Sequence, residues 1–495
     1  MGKHPAGTLL GVALPAGSGE PLHRQLYLAV KAAILDGRLR PGSRVPSTRS
    51  AAEELGLSRT TVLTAFEQLA AEGYLEARVG SGTRVARGLP ADLRPHPAPG
   101  RRPEQRLAAR ISRRSRVDDV PNLSFLGRAA RPLRPGGAEP SLFPTALCSR
   151  LAARHWRRII RSPHNSDSLG YRPLRVAISE HVAKMRGVRC EPDQVLIVCG
   201  AQQALYLCAH VLADPGDAIW MEDPGYPRAR WAFRSAGLRL VPVPIDGEGL
   251  VVSVGTKLCP SPRLAYVTPS FQCPLGVMLS LTRRFELLSL ARHRRAWIIE
   301  DDYFSEYRAG SKAVASLQSL DQDDRVLYVG NFSKSIVPSL RIGYLVLPGV
   351  LVETFTRVRA TLSRQPPGAD QAILAEFISE GHLERHLRAS QRLYRERQDA
   401  LVDALRSEAN GLLDASLAGT GMYLVAFLQN GRHDRAAARA AAIRGIDAIP
   451  LSSFAVKRVE RAGLVLGYAS YEPAVIRRSV EQLASALSAM TRTEG

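Results

Sequence analysis

From about residue 121 onward, short apolar runs alternate with stretches of helical pattern, and this alternation constrains the fold more than any other feature of the chain. The runs are Val195–Val198, Ala218–Met221, Leu264–Thr268, Trp297–Glu300 and Val326–Val329. Strands apolar on both faces need cover on both faces, and strands spaced by helices pair in parallel. The expectation is an α/β domain with a largely parallel sheet over residues 121–491.

At 495 residues the chain is too long for one small core, so at least one further domain is expected. Residues 20–86 alternate helical patterns with turn signals. Residues 87–120 are rich in proline and arginine (Pro90, Pro95, Pro97, Arg101, Arg102, Pro103) and read as an extended linker that cannot bury enough apolar surface to order itself. There are 67 Lys and Arg against 46 Asp and Glu, a formal charge of +21. Such an excess suggests a polyanionic partner, nucleic acid first, although the Arg-rich linker accounts for part of it. No run reaches the roughly 18 apolar residues of a membrane span. Six cysteines without paired CxxC spacing, and a start without a signal-peptide core, fit reduced thiols in a cytoplasm.

In the N-terminal zone, Leu22, Leu26, Val30 and Ile34 give one apolar helix face. Ser47 stands where an N-cap belongs before a helix over Thr48–Leu55, and Gly56 stops that helix. Ser58 caps a third helix with Val62, Phe66 and Leu69 inward and Gly73 at its end. A hairpin follows, Tyr74–Arg78 and Thr83–Val85 around Gly80-Ser81-Gly82. Two short helices joined by a tight glycine turn, then a small hairpin, make a winged helix-turn-helix. The string from Pro41 to Ala86 resembles the GntR-type DNA-binding module along its whole length. The resemblance implies DNA contacts from Arg49, Ser58, Arg59 and Thr60, with Gly80 in the wing over the minor groove. The start of the third helix would enter the major groove, where an arginine can grip a guanine edge or a phosphate.

Five separated motifs then point to one chemistry. Asn331-Phe332-Ser333-Lys334 follows a strand and is itself followed by Arg341-Ile342-Gly343-Tyr344. Val198-Cys199-Gly200-Ala201-Gln202 reads as strand, tight turn and helix start, a geometry that aims backbone N–H groups at an anion. Ile299-Glu300-Asp301-Asp302-Tyr303 puts carboxylates at a strand end. Glu222 to Pro227 carries Tyr226, and Tyr266 to Gly276 forms a Pro-rich loop through Cys273. Together these resemble, in order, the motifs of fold-type I pyridoxal-phosphate enzymes. The resemblance implies a Schiff base to the cofactor at Lys334, with Arg341, Ser333, Asn331, Ala201 and Gln202 around its phosphate. It implies Asp301 on the pyridine nitrogen, Tyr303 on the ring oxygen and Tyr226 on the ring face. With the front module, the whole chain resembles the MocR/GabR type of regulator, which implies a homodimer that binds operator DNA. Smaller matches run on through Gly381–Arg388 and Pro450–Ser453.

The chain departs from the pattern at informative places. Cys273 replaces the asparagine that would bond the ring oxygen. Val465 stands where aminotransferases carry the arginine that clamps a substrate carboxylate. Arg228 is open to two readings, an alternative carboxylate contact or a solvated loop arginine. Phe271, Leu275 and Phe304 make the expected pocket less polar than in the regulator type. The leading expectation is a regulator that senses an amine, an amino acid or a vitamin B6 compound through aldimine chemistry. The alternatives are an active aminotransferase with an appended DNA-binding domain, and a DNA-binding protein whose second half has lost the cofactor.

Overall fold

The computed structural model describes residues 20–78, 82–87, 131–161, 167–307, 315–363, 367–415 and 421–490. The chain divides into two compact units, Met1–Arg110 and Ile111–Gly495. The linker expected over 87–120 lies, but for Arg87, outside the described residues.

The first unit runs α1 (Leu22–Leu35), α2 (Thr48–Leu55), α3 (Arg59–Ala71), β1 (Leu75–Arg78) and β2 (Gly82–Val85). Ser47 Oγ accepts the Ser50 N–H at 3.1 Å, and Ser58 Oγ accepts the Thr61 N–H at 3.1 Å. Each cap satisfies a helix-start donor and is worth about 1 kcal/mol. Gly56 ends α2 at φ 64°, a conformation that side chains rarely adopt. Leu26, Val30 and Ile34 pack with Val62, Phe66 and Leu69 in one core. Leu22, expected on the same face, is 52% exposed, so α1 packs through its later turns only. Tyr27 Oη donates to Glu72 at 2.6 Å and Lys31 donates to the same carboxylate at 2.9 Å, which ties α1 to the end of α3. The two strands pair antiparallel with Leu75 opposite Val85.

The second unit opens with α4 (Thr145–Arg161) and α5 (Arg172–Arg186) and then builds an eight-stranded sheet. Its strands are β3 (Val195–Val198), β4 (Ala218–Asp223), β5 (Arg239–Asp246), β6 (Gly249–Leu250), β7 (Leu264–Val267), β8 (Trp297–Asp302), β9 (Val326–Asn331) and β10 (Gly343–Val346). They lie in the order β3-β10-β9-β8-β7-β4-β5-β6. The centre from β9 to β5 is parallel, while β10 runs antiparallel to both of its neighbours and β6 closes the far edge antiparallel. All five expected strands are present, and the sheet is mostly parallel as their spacing implied.

Successive side chains serve opposite faces. Ile219, Met221, Tyr266 and Ile299 join a core with α6 (Ala201–Leu212) and α7 (Pro227–Ser235). Their neighbours Trp220, Ala265, Val267 and Ile298 join another with α8 (Val252–Leu258) and α9 (Leu281–Arg294). This two-sided burial is why the strands read as continuous apolar runs. A smaller antiparallel sheet, β11 (Leu413–Ala415), β12 (Tyr423–Leu428), β13 (Ile449–Pro450) and β14 (Gly463–Gly467), is ordered β11-β12-β14-β13. It shares a core with the long helix His382–Glu408.

Candidate functional site

On the first unit, Ser58, Arg59 and Thr60 form the exposed start of α3. Arg49, in the first turn of α2, is exposed and meets Glu53 at 3.3 Å. Such a surface pair is worth at most about 1 kcal/mol and yields readily to a phosphate. Arg44, which the sequence motifs did not single out, bridges to Arg84 beside the hairpin. Gly80 lies outside the described residues.

In the second unit the five motifs converge at the carboxyl ends of the parallel strands, where open α/β sheets bind ligands. Lys334 follows β9. Its Nζ donates to the Gly136 carbonyl at 2.7 Å, and Tyr307 Oη holds the Lys334 carbonyl at 2.9 Å. Burial pushes the Lys334 amine down to about 8, with the nearby Arg228 charge acting in the same direction. A larger neutral fraction makes it a better nucleophile toward a carbonyl.

Asp301 is the last residue but one of β8 and is buried. Its Oδ2 accepts the Tyr266 hydroxyl at 2.8 Å, while its Oδ1 is buried without a hydrogen-bond partner. Burial pushes this carboxyl up to about 7 and the Asp302 carboxylate adds to the rise, against the Tyr266 hydrogen bond. Glu222, at the end of β4, is also raised to about 7 by burial. It accepts the Thr268 N–H at 3.0 Å, the Thr268 hydroxyl at 2.6 Å and the Gln272 amide at 3.2 Å. These bonds fix the loop that carries Cys273.

Gly200 caps α6 at φ 80°, and Ala201 and Gln202 begin a first turn with no acidic residue. Early N–H groups of a helix have no intrahelical acceptor and favour an anion. A Cβ at Gly200 would lie 3.6 Å from the Arg341 guanidinium carbon and fill the space in front of it. Arg341 also donates to the Cys199 carbonyl at 3.3 Å. The Gln202 side chain turns away to the Arg228 carbonyl, 3.1 Å, so its amide ties α6 to α7 and only its backbone faces the cradle. Asn331 Oδ1 is engaged by the Ser333 N–H at 3.0 Å, which shapes the turn before the half-buried Lys334 segment.

Tyr226 and Tyr303 present nearly parallel rings, 10° between planes with centroids 6.4 Å apart. Tyr303 Oη lies 2.8 Å from Tyr423 Oη, and the buried Cys273 thiol sits beside both phenols. Arg228 is half-buried and makes no ion pair among the described residues. Val465 is buried on β14, opposite Val425 and Ile449. Gly136, Glu222, Tyr266 and Tyr423 also belong to the site, although the sequence motifs assign them no role. Glu222 and Tyr266 stood inside quoted motifs, whereas Tyr423 and Gly136 carried no signal of their own.

Two family models match the chain: aminotransferase class I and II over residues 152–483, and bacterial regulatory proteins, gntR family, over residues 22–85. The probable rhizopine catabolism regulatory protein MocR of Rhizobium meliloti is 40% identical over 480 residues, covering 95% of this chain and 94% of that protein. The pyridoxine biosynthesis transcriptional regulator PdxR of Corynebacterium glutamicum is 31% identical over 483 residues, with 97% and 99% covered. Among solved structures, LysN from Thermus thermophilus matches with a TM-score of 0.65 and 29% identity, over 71% of this chain and 91% of that one. LysN is an α-aminoadipate aminotransferase, complexed there with N-(5'-phosphopyridoxyl)-L-leucine.

Proposed function

The chain belongs to the aminotransferase class I and II family and, through its N-terminal module, to the GntR family of bacterial regulators in the MocR arrangement, and from that premise we propose that its operator binding is governed by pyridoxal phosphate and by amines that reach Lys334. It is a DNA-binding transcriptional regulator with an aminotransferase-like second domain. The family of that domain is pyridoxal-phosphate-dependent. No described helix is long and apolar enough to cross a membrane, and a regulator of operator DNA works in the cytoplasm.

The observation that carries the reading is Asp301. A buried carboxylate oxygen left without a donor costs roughly 1–3 kcal/mol or more, and Oδ1 is such an atom. A pyridinium N–H would satisfy it and reverse the burial-driven rise in its proton affinity. Lys334 is the attachment point. Arg341, Ser333, Asn331 and the start of α6 at Ala201 and Gln202 surround the phosphate. Tyr226 covers the ring face, with Tyr303 and Cys273 at the ring oxygen. Bound there, the cofactor supplies an aldehyde that condenses reversibly with primary amines. Arg228, without an ion pair among the described residues and within the field of Lys334, is the residue we assign to an anionic group of the effector. The effector is an amine, an amino acid or a vitamin B6 compound.

Arg59 tests the DNA half. Arg59→Ala is expected to lose about 1–3 kcal/mol of preference for the control region beside the protein's own gene over random DNA, if Arg59 reads a base. Titrations on both DNAs at fixed salt check this. Equal weakening on the two would make Arg59 a phosphate contact.

Assembly follows from the same premise. Two-fold pairing would give two wings and two half-sites one helical turn or its multiple apart. The mass in solution is expected at twice 53.9 kDa. A monomer that still binds specifically to DNA would reject the dimer.

A further inference from the structure

Tyr303, Tyr423 and Cys273 reach one point from three separate elements: the turn after β8, the start of β12 and the loop after β7. Burial raises both phenols and pushes the thiol up to about 12, so all three hold their protons at neutral pH. When one phenol donates to the other, the second hydroxyl has no oxygen acceptor among the described residues and only the neighbouring Cys273 sulfur, a weak acceptor, beside it. A strong buried donor is thus underused, and an oxygen acceptor at this point would engage it.

The phenols are held firmly. Phe271 sets its edge against the Tyr303 ring at 6.4 Å and the Tyr423 ring at 5.8 Å. A Cβ on Gly421 would meet Phe271 at 2.9 Å, and the Gly421 N–H donates to Tyr468 Oη at 3.0 Å, which pins the entry to β12.

Resting on the cofactor reading above, we propose that Tyr423, on the small sheet, donates a second phenol hydrogen bond to the ring oxygen of bound pyridoxal phosphate, in place of the amide that Cys273 cannot supply. An ionised ring oxygen gains from each donor, so Tyr423 helps set the pH at which the loaded protein changes colour. The other titratable groups facing the cluster are Lys334, Arg228, Asp301, Glu222 and Tyr226, and they stay the same when Tyr423 is changed.

The test is a spectrophotometric pH titration of the full-length protein loaded with pyridoxal phosphate. Tyr423→Phe is expected to raise the colour-change midpoint by roughly 1–2 pH units, the worth of one hydrogen bond to a charged oxygen. Tyr423→His, which keeps a donor, is expected to stay near the wild-type midpoint. A Tyr423 that only packs would change the melting temperature of the unloaded protein and leave the midpoint in place, and that result overturns the proposal. If Tyr423→Phe does not fold, 3-fluorotyrosine at position 423 gives a more acidic donor of the same shape and must lower the midpoint. An unmoved midpoint there also overturns it. Wild-type protein that takes up no cofactor would overturn the cofactor reading as a whole, whereas a coloured wild type with an unshifted Tyr423→Phe overturns only the role of Tyr423.

Discussion

Lys334→Ala is expected to remove all borohydride-fixable pyridoxal phosphate from the protein while leaving its fold in place. The chain has only seven lysines, so few amines can compete for the aldehyde. Lys31 is held charged, well above its ordinary value, by hydrogen bonds to Tyr27 and Glu72, and Lys184 is paired with Glu384. Among the described lysines, Lys334 combines a lowered proton affinity with a position at the strand ends. Truncation costs the Gly136 hydrogen bond, about 1 kcal/mol net. The backbone stays anchored, because the Tyr307 hydroxyl bonds the Lys334 carbonyl and not the side chain. The check is peptide mapping after reduction, with circular dichroism and thermal melting as controls. Equal labelling of the Ala variant, or a wild type that cannot be coloured by added cofactor, would contradict the assignment of Lys334.

Local chemistry explains which parts were legible in the sequence. The bounds of α2 and the start of α3 follow from Ser47, Gly56 and Ser58, because a serine cap and a left-handed glycine act within three residues of themselves. The strands were legible because burial on both faces removes polar residues from them. The antiparallel β10 was not, since strand direction is set by the course of the short connection from β9 and leaves no mark on composition. Lys334, Asp301 and Arg341 were legible as members of motifs. Tyr423 was not, because it meets Tyr303 across 120 positions of chain and stands in an unremarkable strand. The partners that finish a site, Tyr266 on Asp301 and Gly136 on Lys334, are tertiary choices that spacing does not encode.

Transamination by the wild-type protein is expected to be very slow, far below the ~1–10³ s⁻¹ of ordinary enzymes. Lys334 and Asp301 would leave the electronic part of the chemistry possible, so amines should exchange at the site. Positioning is what is missing. Where a clamping arginine would hold the substrate carboxylate, Val465 offers an apolar side chain between Val425 and Ile449. Loss of one partner of a buried, hydrogen-bonded charge pair costs roughly 2–5 kcal/mol, or about 30- to 5000-fold in rate if the contact tightens in the transition state. Without that anchor the Cα–H bond need not stand perpendicular to the cofactor ring, as proton removal requires. Arg228 can replace the charge but approaches from α7 instead of β14. Val465→Arg is not a simple repair. Val465 is fully buried on β14, and two residues along the same face a Cβ on Gly467 would already collide with the Arg134 carbonyl, so a longer arginine side chain would have to displace its packed neighbours. The variant is therefore expected to gain little rate and to lose stability. Oxo-acid release from a panel of amino acids, measured over many turnovers, is the decisive assay. Sustained wild-type turnover within the enzymatic range would reverse the ranking and make this chain an aminotransferase that also binds DNA.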